Sequence, residues 1–248
     1  MSASVRLSAA VLRVAWCVAS VFVVQTTLLA VAAAPAIAFW QSQTRLTYPN
    51  DWLRVAALAA AVVPSYLLFA FLLAVFSGVT TGLLGWRTPA NAVLRIADLE
   101  WAILNWVRYL VITHVVRVLV GSLFRASPLW TLFLRLNGAR LGRGVFVNSL
   151  LVNDHNLLDF GDRVVIGGDA HISGHTVENG FVKTAFVRLG PDVTIGIGAV
   201  IGIGVEAGAG CQVGALSLAP KFAKLEAGGV YAGIPVRRID EGPDQGEV

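Results

Sequence analysis

The sequence predicts helices buried in a membrane followed by a parallel β-helix, and three observations carry that prediction. Two long stretches near the N-terminus hold no charged residue. A third apolar stretch carries polar residues at helical spacing. Beyond residue 138, an aliphatic–glycine pair returns every six residues.

Composition sets the frame. The 248 residues are 56% hydrophobic and only 14% charged, against about 25% charged in an average globular protein. Most of the apolar excess lies before residue 125, which divides the chain into a membrane-embedded part and a more polar part. The net charge is +4, and arginines flank the apolar stretches (Arg13, Arg45, Arg54, Arg87, Arg95), where they meet lipid headgroups. No basic cluster with interleaved aromatics occurs in the polar half, so nucleic acid is not an expected partner. Cys17 lies in the first apolar stretch and Cys211 in a repeat; both read as small hydrophobes, not as a disulfide framework.

The first span is Val14 to Thr44 and the second is Val55 to Trp86, each free of charge. A hydrocarbon core about 30 Å thick needs about 20 apolar residues, so both are long enough. Trp40, Tyr48 and Trp52 cluster between them and Trp86 closes the second, as an interfacial aromatic belt requires. The first stretch is also open to reading as a cleaved leader, since Arg6 and Arg13 precede it and "PAIA" lies near its end. Its length exceeds the apolar core of a typical signal peptide, which favours an anchor.

From Arg95 to Arg125 the pattern changes. Asp98, Asn105 and Arg108 share one helical face, whereas His114, Arg117 and Arg125 share a face rotated from it. This predicts amphipathic helix lying in the membrane interface, with a kink or a division into two short helices between Arg108 and His114. His114 reads as a headgroup-facing residue.

The repeat then decides the fold. Leu189-Gly190, Ile195-Gly196, Ile201-Gly202, Ala207-Gly208 and Val213-Gly214 recur without a break, and Val193, Ala199, Val205, Cys211 and Ser217 fill every fifth position. Phe160-Gly161, Ile166-Gly167 and Ile172-Ser173 extend the period upstream. Each hexad makes one short strand and one corner of a triangular coil. The aliphatic residue points inward, and glycine permits a corner where a side chain would clash. Stacked coils support one another, so none is stable alone. Two stretches break the period: Val147 to Phe160 and Ile172 to Leu189. Extra residues in a solenoid must leave it as loops, and such loops usually carry function.

With these motifs the chain resembles the hexapeptide-repeat acyltransferases. The likeness rests on the repeats, on the histidine after "GGDAHIS", and on the closing "YAGIPVRRI", similar to that family's G-x-P-A-[KR]-x-I ending but with Val236 where alanine is usual. "SPLWTLFLRLNGARLGRGVFVN", "NDHNLLDFGD" and "GHTVENG", in that order, resemble the membrane-associated terminal modules of epsilon-poly-lysine-type peptide synthetases. The resemblance implies a left-handed β-helix, a homotrimer, and acyl transfer from acetyl-CoA or another acyl-CoA to a hydroxyl or amine on a small-molecule, peptide, glycan or lipid-linked acceptor. The expected domains are a two-span region (1–88), an interfacial helical linker (89–137) and an acyltransferase-like β-helix (138–248). The expected location is the cell membrane, multi-pass, with the β-helix in the cytoplasm where acyl-CoA is found.

The same resemblance places a general base on His175, a role imidazole suits at neutral pH. Glu178, three residues on, is read either as orienting that ring or holding an acceptor amine, or as a solvated carboxylate. Asp154 and Asn156 match positions that hold the acceptor. The backbone of the regular coils, at Gly196, Gly202 and Gly214, is expected to bind coenzyme A, with Lys221, Lys224, Arg237 and Arg238 near its phosphates. His171, preceding the inward Ile172, reads as an outward structural residue. Two other functions stay open: a non-catalytic membrane module, and a zinc lyase drawing on His155, His171 and His175, although their spacing departs from that of such enzymes and no metal is expected.

Overall fold

The computed structural model describes residues 3–239, with side chains from residue 8 onward. Helices α1 (Ala3–Thr44) and α2 (Asp51–Leu83) form an antiparallel hairpin. Asn50 starts α2 by accepting the Leu53 N–H at 2.8 Å, which satisfies one of the donors a helix start leaves open. Near the turn, the Trp40 indole donates to the Leu58 carbonyl at 3.2 Å. Deeper in the hairpin, Ala32, Ala70 and Ala74 are buried beside Leu28 and Leu73, small residues that let the two backbones approach. Outward, Trp16, Phe22, Val62 and Val63 remain exposed, an apolar surface of the kind lipid covers.

The third apolar stretch is α3 (Trp101–Val116), a π-helical turn (Arg117–Gly121) and α4 (Ser122–Phe124), followed by α5 (Pro128–Leu136). Trp101–Phe124 is by length and composition long enough to cross a bilayer, making three such helices instead of the expected two. Its surroundings differ from those of α1 and α2, however. On one side it meets α1, where Ser20 Oγ accepts from Arg108 Nε at 2.9 Å. On the other side Ile103 and Trp106 pack on Val182 of the β-helical part. At its far end Arg125 reaches Asn148 and Asp169. One end of this helix therefore meets a hairpin that leaves the β-helix, and the other meets its first coils.

Two expectations for this segment are corrected. The irregularity falls at Arg117–Gly121, not between Arg108 and His114; it ends where the helix passes Leu150 closely, a Cβ on Gly121 lying 3.1 Å from a Leu150 methyl. Also, the stripe of Asn105 and Arg108 points inward. Arg108 is buried, bonded to Asn105 and Ser20, with its guanidinium over the rings of Trp86 and Trp101 at 5.3 and 5.4 Å. Aromatic faces and neutral oxygens surround its charge.

The remainder is a three-faced parallel β-helix. Paired residues in the regular coils lie eighteen apart: Thr194 with Gln212, Val200 with Leu218, Glu206 with Lys224. Every first- and fifth-position residue of the five regular hexads is buried, and a fully buried aliphatic side chain contributes roughly 1.5–3 kcal/mol. Glycine serves two purposes at the corners. At Gly196 a Cβ would sit 2.5 Å from the Ala215 amide in the next coil; two residues on, Gly198 has φ +66°. The strand Arg237–Arg238 folds back antiparallel on Val230–Ala232 and closes the stack.

The period breaks resolve differently. Across the second, Phe160 pairs with Leu189, and the additional residues form an antiparallel hairpin, His175–Glu178 with Phe181–Thr184. Strand Val93–Arg95 adds to that hairpin's edge and ties it to the helical region. The first break is not a loop. Leu141 pairs with Phe160, one residue more than a coil, and the surplus is absorbed where Asp154 adopts φ +54° before a 3-10 turn, His155–Leu157.

Candidate functional site

The two breaks meet. Asp154, fully buried, accepts a hydrogen bond from His175 Nδ1 at 2.5 Å through Oδ2. The same oxygen receives the Gly174 N–H at 3.1 Å and the Ser173 hydroxyl at 3.2 Å. Its other oxygen receives Thr88 Oγ1 at 2.8 Å and Trp106 Nε1 at 3.2 Å. Burial alone would push this carboxyl up, but the bonds from His175, Thr88 and Trp106 outweigh it and hold Asp154 below its ordinary value. A carboxylate only accepts, so Nδ1 carries the proton, and in the neutral ring this leaves the lone pair on Nε2. Trp106 packs edge-on against the His175 ring, centroids 4.9 Å apart, and limits its rotation.

His175 forms part of the wall of a cavity of about 390 Å³ between α3, α5 and the first coils. Leu110, Val111 and His114 come from α3, Arg117 from the π turn, and Leu150 from the coil. A volume of this size suits a small ligand or the end of a larger one. The wall is mainly apolar, with a few polar groups that can fix orientation.

His155 also reaches the cavity, yet its ring is committed. Nδ1 bonds the Tyr109 hydroxyl at 2.7 Å and Nε2 bonds the Val152 carbonyl at 3.0 Å. Burial lowers its pKa to about 4, so it is neutral near pH 7. With both nitrogens engaged it has no lone pair to offer a metal, which removes one of the three histidines of the zinc reading. Among the described residues no group of three His, Cys, Asp or Glu side chains is arranged to hold a metal.

The other residues singled out in the sequence are dispersed. Asn156 pins the segment after α2, accepting from Thr88 N at 3.2 Å and donating to Thr88 O at 2.8 Å, so its amide is occupied. Glu178 does not orient the imidazole. It lies at the outer end of the hairpin, paired with Lys183 at 2.7 Å and with Lys221, which together lower its pKa to about 2. His171 is exposed on a coil, with Ile172 beneath it. A Cβ on Gly196 or Gly202 would lie less than 3 Å from the next coil; at Gly214 there is more room, the nearest atom being the Ala232 methyl, 3.3 Å from such a Cβ. Lys224 and Arg237 lie on the last strands, and Arg238 pairs with Glu226.

Sequence reasoning missed Trp106, Thr88 and Ser173, and gave Asp154 a different role. Asp154 carried one signal, its place in a period break, and aspartate tolerates the left-handed backbone such a bulge imposes. Nothing in the pattern of α3 distinguishes Trp106, which turns toward the β-helix, from Trp101, which packs on Arg108.

No protein-family model matches the chain, and neither does any curated protein. Solved structures do resemble it. A hexapeptide-repeat-containing acetyltransferase from Vibrio cholerae is 23% identical, with a TM-score of 0.38, over 44% of this chain and 65% of that one. It was also solved with acetyl-CoA. A maltose O-acetyltransferase from Clostridium difficile is 22% identical, with a TM-score of 0.38, over 42% and 59%. AntD, an N-acyltransferase from Bacillus cereus in complex with dTDP and 3-hydroxybutyryl-CoA, is 21% identical, with a TM-score of 0.33, over 42% and 72%. Less than two thirds of the first of these chains is matched, and less than half of this one.

Proposed function

We propose that the protein is a membrane-anchored acyltransferase that moves an acyl group from coenzyme A to a hydroxyl or amine. The observation that carries the reading is the Asp154–His175 pair beside a mainly apolar cavity. His175 Nε2 takes the acceptor proton as the acceptor oxygen or nitrogen attacks the thioester carbonyl. The carbon–sulfur bond then breaks, and the proton passes to the coenzyme A sulfur. Asp154 holds the ring in the Nδ1–H tautomer and stabilises the imidazolium that forms, a positioning role distinct from the acceptor-holding one its sequence context suggested. Acyl-CoA is the co-substrate, lying along the regular coils with Lys221 and Arg237 near its phosphates; no metal takes part.

The domains keep the limits 1–88, 89–137 and 138–248, and the β-helix winds left-handed. In this reading α1 and α2 span the membrane and α3 packs along the cytoplasmic half of their hairpin, the π turn reaching Tyr66 of α2 through the Leu119 carbonyl. What supports that placement is geometry: a helix of 24 residues is ~36 Å long, yet one end meets the hairpin that leaves the β-helix and the other meets its first coils. Spanning would drag polar coils into lipid. Three copies assemble, supported by Ile197 and Leu216, stacked on adjacent coils and exposed.

The test is acyl transfer from labelled acetyl-CoA into a total membrane extract. Wild-type protein labels an acceptor and His175→Ala does not, while both bind coenzyme A equally. Undiminished labelling by the variant would overturn the reading.

A further inference from the structure

We infer that the cavity beside His175 receives an anionic amphiphile, its acidic group on Arg117 and its hydrocarbon against Leu110, Val111 and Leu150. This names the acceptor class for the acyl transfer proposed above and rests on that reading for the role of His175. The binding part stands by itself.

The charge of Arg117 is what calls for a ligand. Of the arginines in the β-helical part and its approach, Arg125, Arg140, Arg143, Arg163 and Arg188 are each paired with an aspartate or glutamate, whereas Arg117, Arg135 and Arg237 have no such pair among the described residues, and of these three Arg117 lines the cavity. Arg117 has no carboxylate within ion-pair distance among the described residues. Its Nη1 donates to Asn153 Oδ1 at 3.2 Å and its Nη2 to His114 Nδ1 at 2.7 Å, neither of them a carboxylate. These bonds fix the plane of the guanidinium without cancelling its charge, and they leave most of its five N–H donors unused. It is the one permanently charged side chain on the cavity wall. The residue also opens the π turn, and such turns concentrate at functional sites.

The other walls select hydrocarbon. A free sugar needs a lining of hydroxyls and amides; Leu110, Val111, Leu150, Trp130 and Phe133 offer few. Directly after Arg117 the surface is apolar: Val118, Leu119 and Leu123, then Leu129 and Leu132 on α5, are exposed. A ligand that reaches the cavity from lipid crosses a surface suited to its chain and meets one cation at the end.

The experiment uses the full chain in non-ionic detergent and follows protection of His175 from diethyl pyrocarbonate by peptide mass spectrometry. The probes are dodecyl phosphate, dodecanol and inorganic phosphate, with coenzyme A binding measured calorimetrically on the same samples. Dodecyl phosphate is expected to protect at concentrations about tenfold or more below the other two, the scale of one charge-assisted contact. Arg117→Gln removes most of that advantage, Arg117→Lys keeps part of it, and coenzyme A affinity stays the same in both. Thermal unfolding checks that the variants are folded, and the lysine variant keeps the test open should glutamine disturb α3. Equal protection by dodecanol overturns the anionic part; equal protection by inorganic phosphate overturns the amphiphile. A parallel loss of coenzyme A binding in Arg117→Gln assigns the residue to the donor and overturns the inference. If wild-type protein ignores coenzyme A but keeps Arg117-dependent protection, the acyl-transfer reading falls and the cavity assignment stands.

Discussion

Replacing Asp154 with asparagine keeps the side chain's shape and exchanges one of its acceptor oxygens for a donor. The carboxylate receives five hydrogen bonds, divided between Thr88 and Trp106 on one oxygen and His175, Gly174 and Ser173 on the other. If the amide oxygen stays with Trp106, its NH2 faces the Gly174 N–H and His175 Nδ1. The imidazole then adopts the Nε2–H tautomer and presents a proton, not a lone pair, to the cavity. If the amide turns over, its NH2 opposes the Trp106 indole N–H. Either way one buried N–H loses its acceptor, which costs about 1–3 kcal/mol of stability. In the first orientation the tautomer change removes the base, and in the second the neutral amide no longer stabilises the imidazolium as the carboxylate does; loss of the base is worth about 10²–10⁴ in rate or roughly 3–5.5 kcal/mol of barrier. A defect that was merely structural would lower stability and coenzyme A affinity together. Asp154→Asn is expected to lower kcat by at least about a hundredfold with coenzyme A affinity unchanged. A variant retaining a third of wild-type turnover would refute the positioning role.

The remaining predictions concern stability, the hairpin and the membrane. His155 is neutral in the fold, with its pKa lowered to about 4 from an ordinary 6.5. The unfolded chain therefore takes up a proton that the folded one does not, and stability falls as pH drops from 6.5 toward 4. The loss reaches about 3 kcal/mol, read by chemical denaturation in detergent; a flat profile through that window, or one unchanged in His155→Gln, counts against it. Gly196→Ala forces the next coil's backbone to move and is expected to cost about 1–3 kcal/mol by the same measurement; an unchanged midpoint would mean the corner has slack. Glu178→Gln should leave turnover nearly intact, since the carboxylate holds Lys183 and Lys221 and not the imidazole; loss of activity comparable to His175→Ala would restore its catalytic role. Single cysteines at Ser2 and Asp244, positions outside the described residues, should both be labelled from the cytoplasmic side once Cys17 and Cys211 are removed. Labelling from opposite sides would make α3 a third span.

How much of this was legible in the sequence depended on periodicity. The coils were readable because each hexad repeats the same inward pair, and Val193, Ala199, Val205 and Cys211 are all fully buried as that pair requires. The hairpin α1–α2 was readable because lipid demands a long uncharged run. Neither rule governs the segment between them. The polar stripe through Arg108 resembles a solvated face, and only the approach of Ser20, Trp86 and Trp101 turns it into a buried one. The same limit applies to the site. Local spacing offered Glu178, three residues away, either as the partner of His175 or as a solvated carboxylate. The partner is Asp154, twenty-one residues earlier, because one turn of the solenoid brings the first break beneath the second. Contacts between coils are fixed by stacking, and the hexad pattern falls silent at the interruptions where the chemistry is placed.

The central claim is that coenzyme A is the donor, and calorimetric titration of coenzyme A into the purified full-length protein tests it most directly. The account predicts saturable binding, one equivalent per chain, weakened by removing the charges of Lys221 and Arg237 and unaffected by His175→Ala. Absence of any binding up to millimolar coenzyme A, by a protein that is folded and keeps its thermal transition, would contradict it.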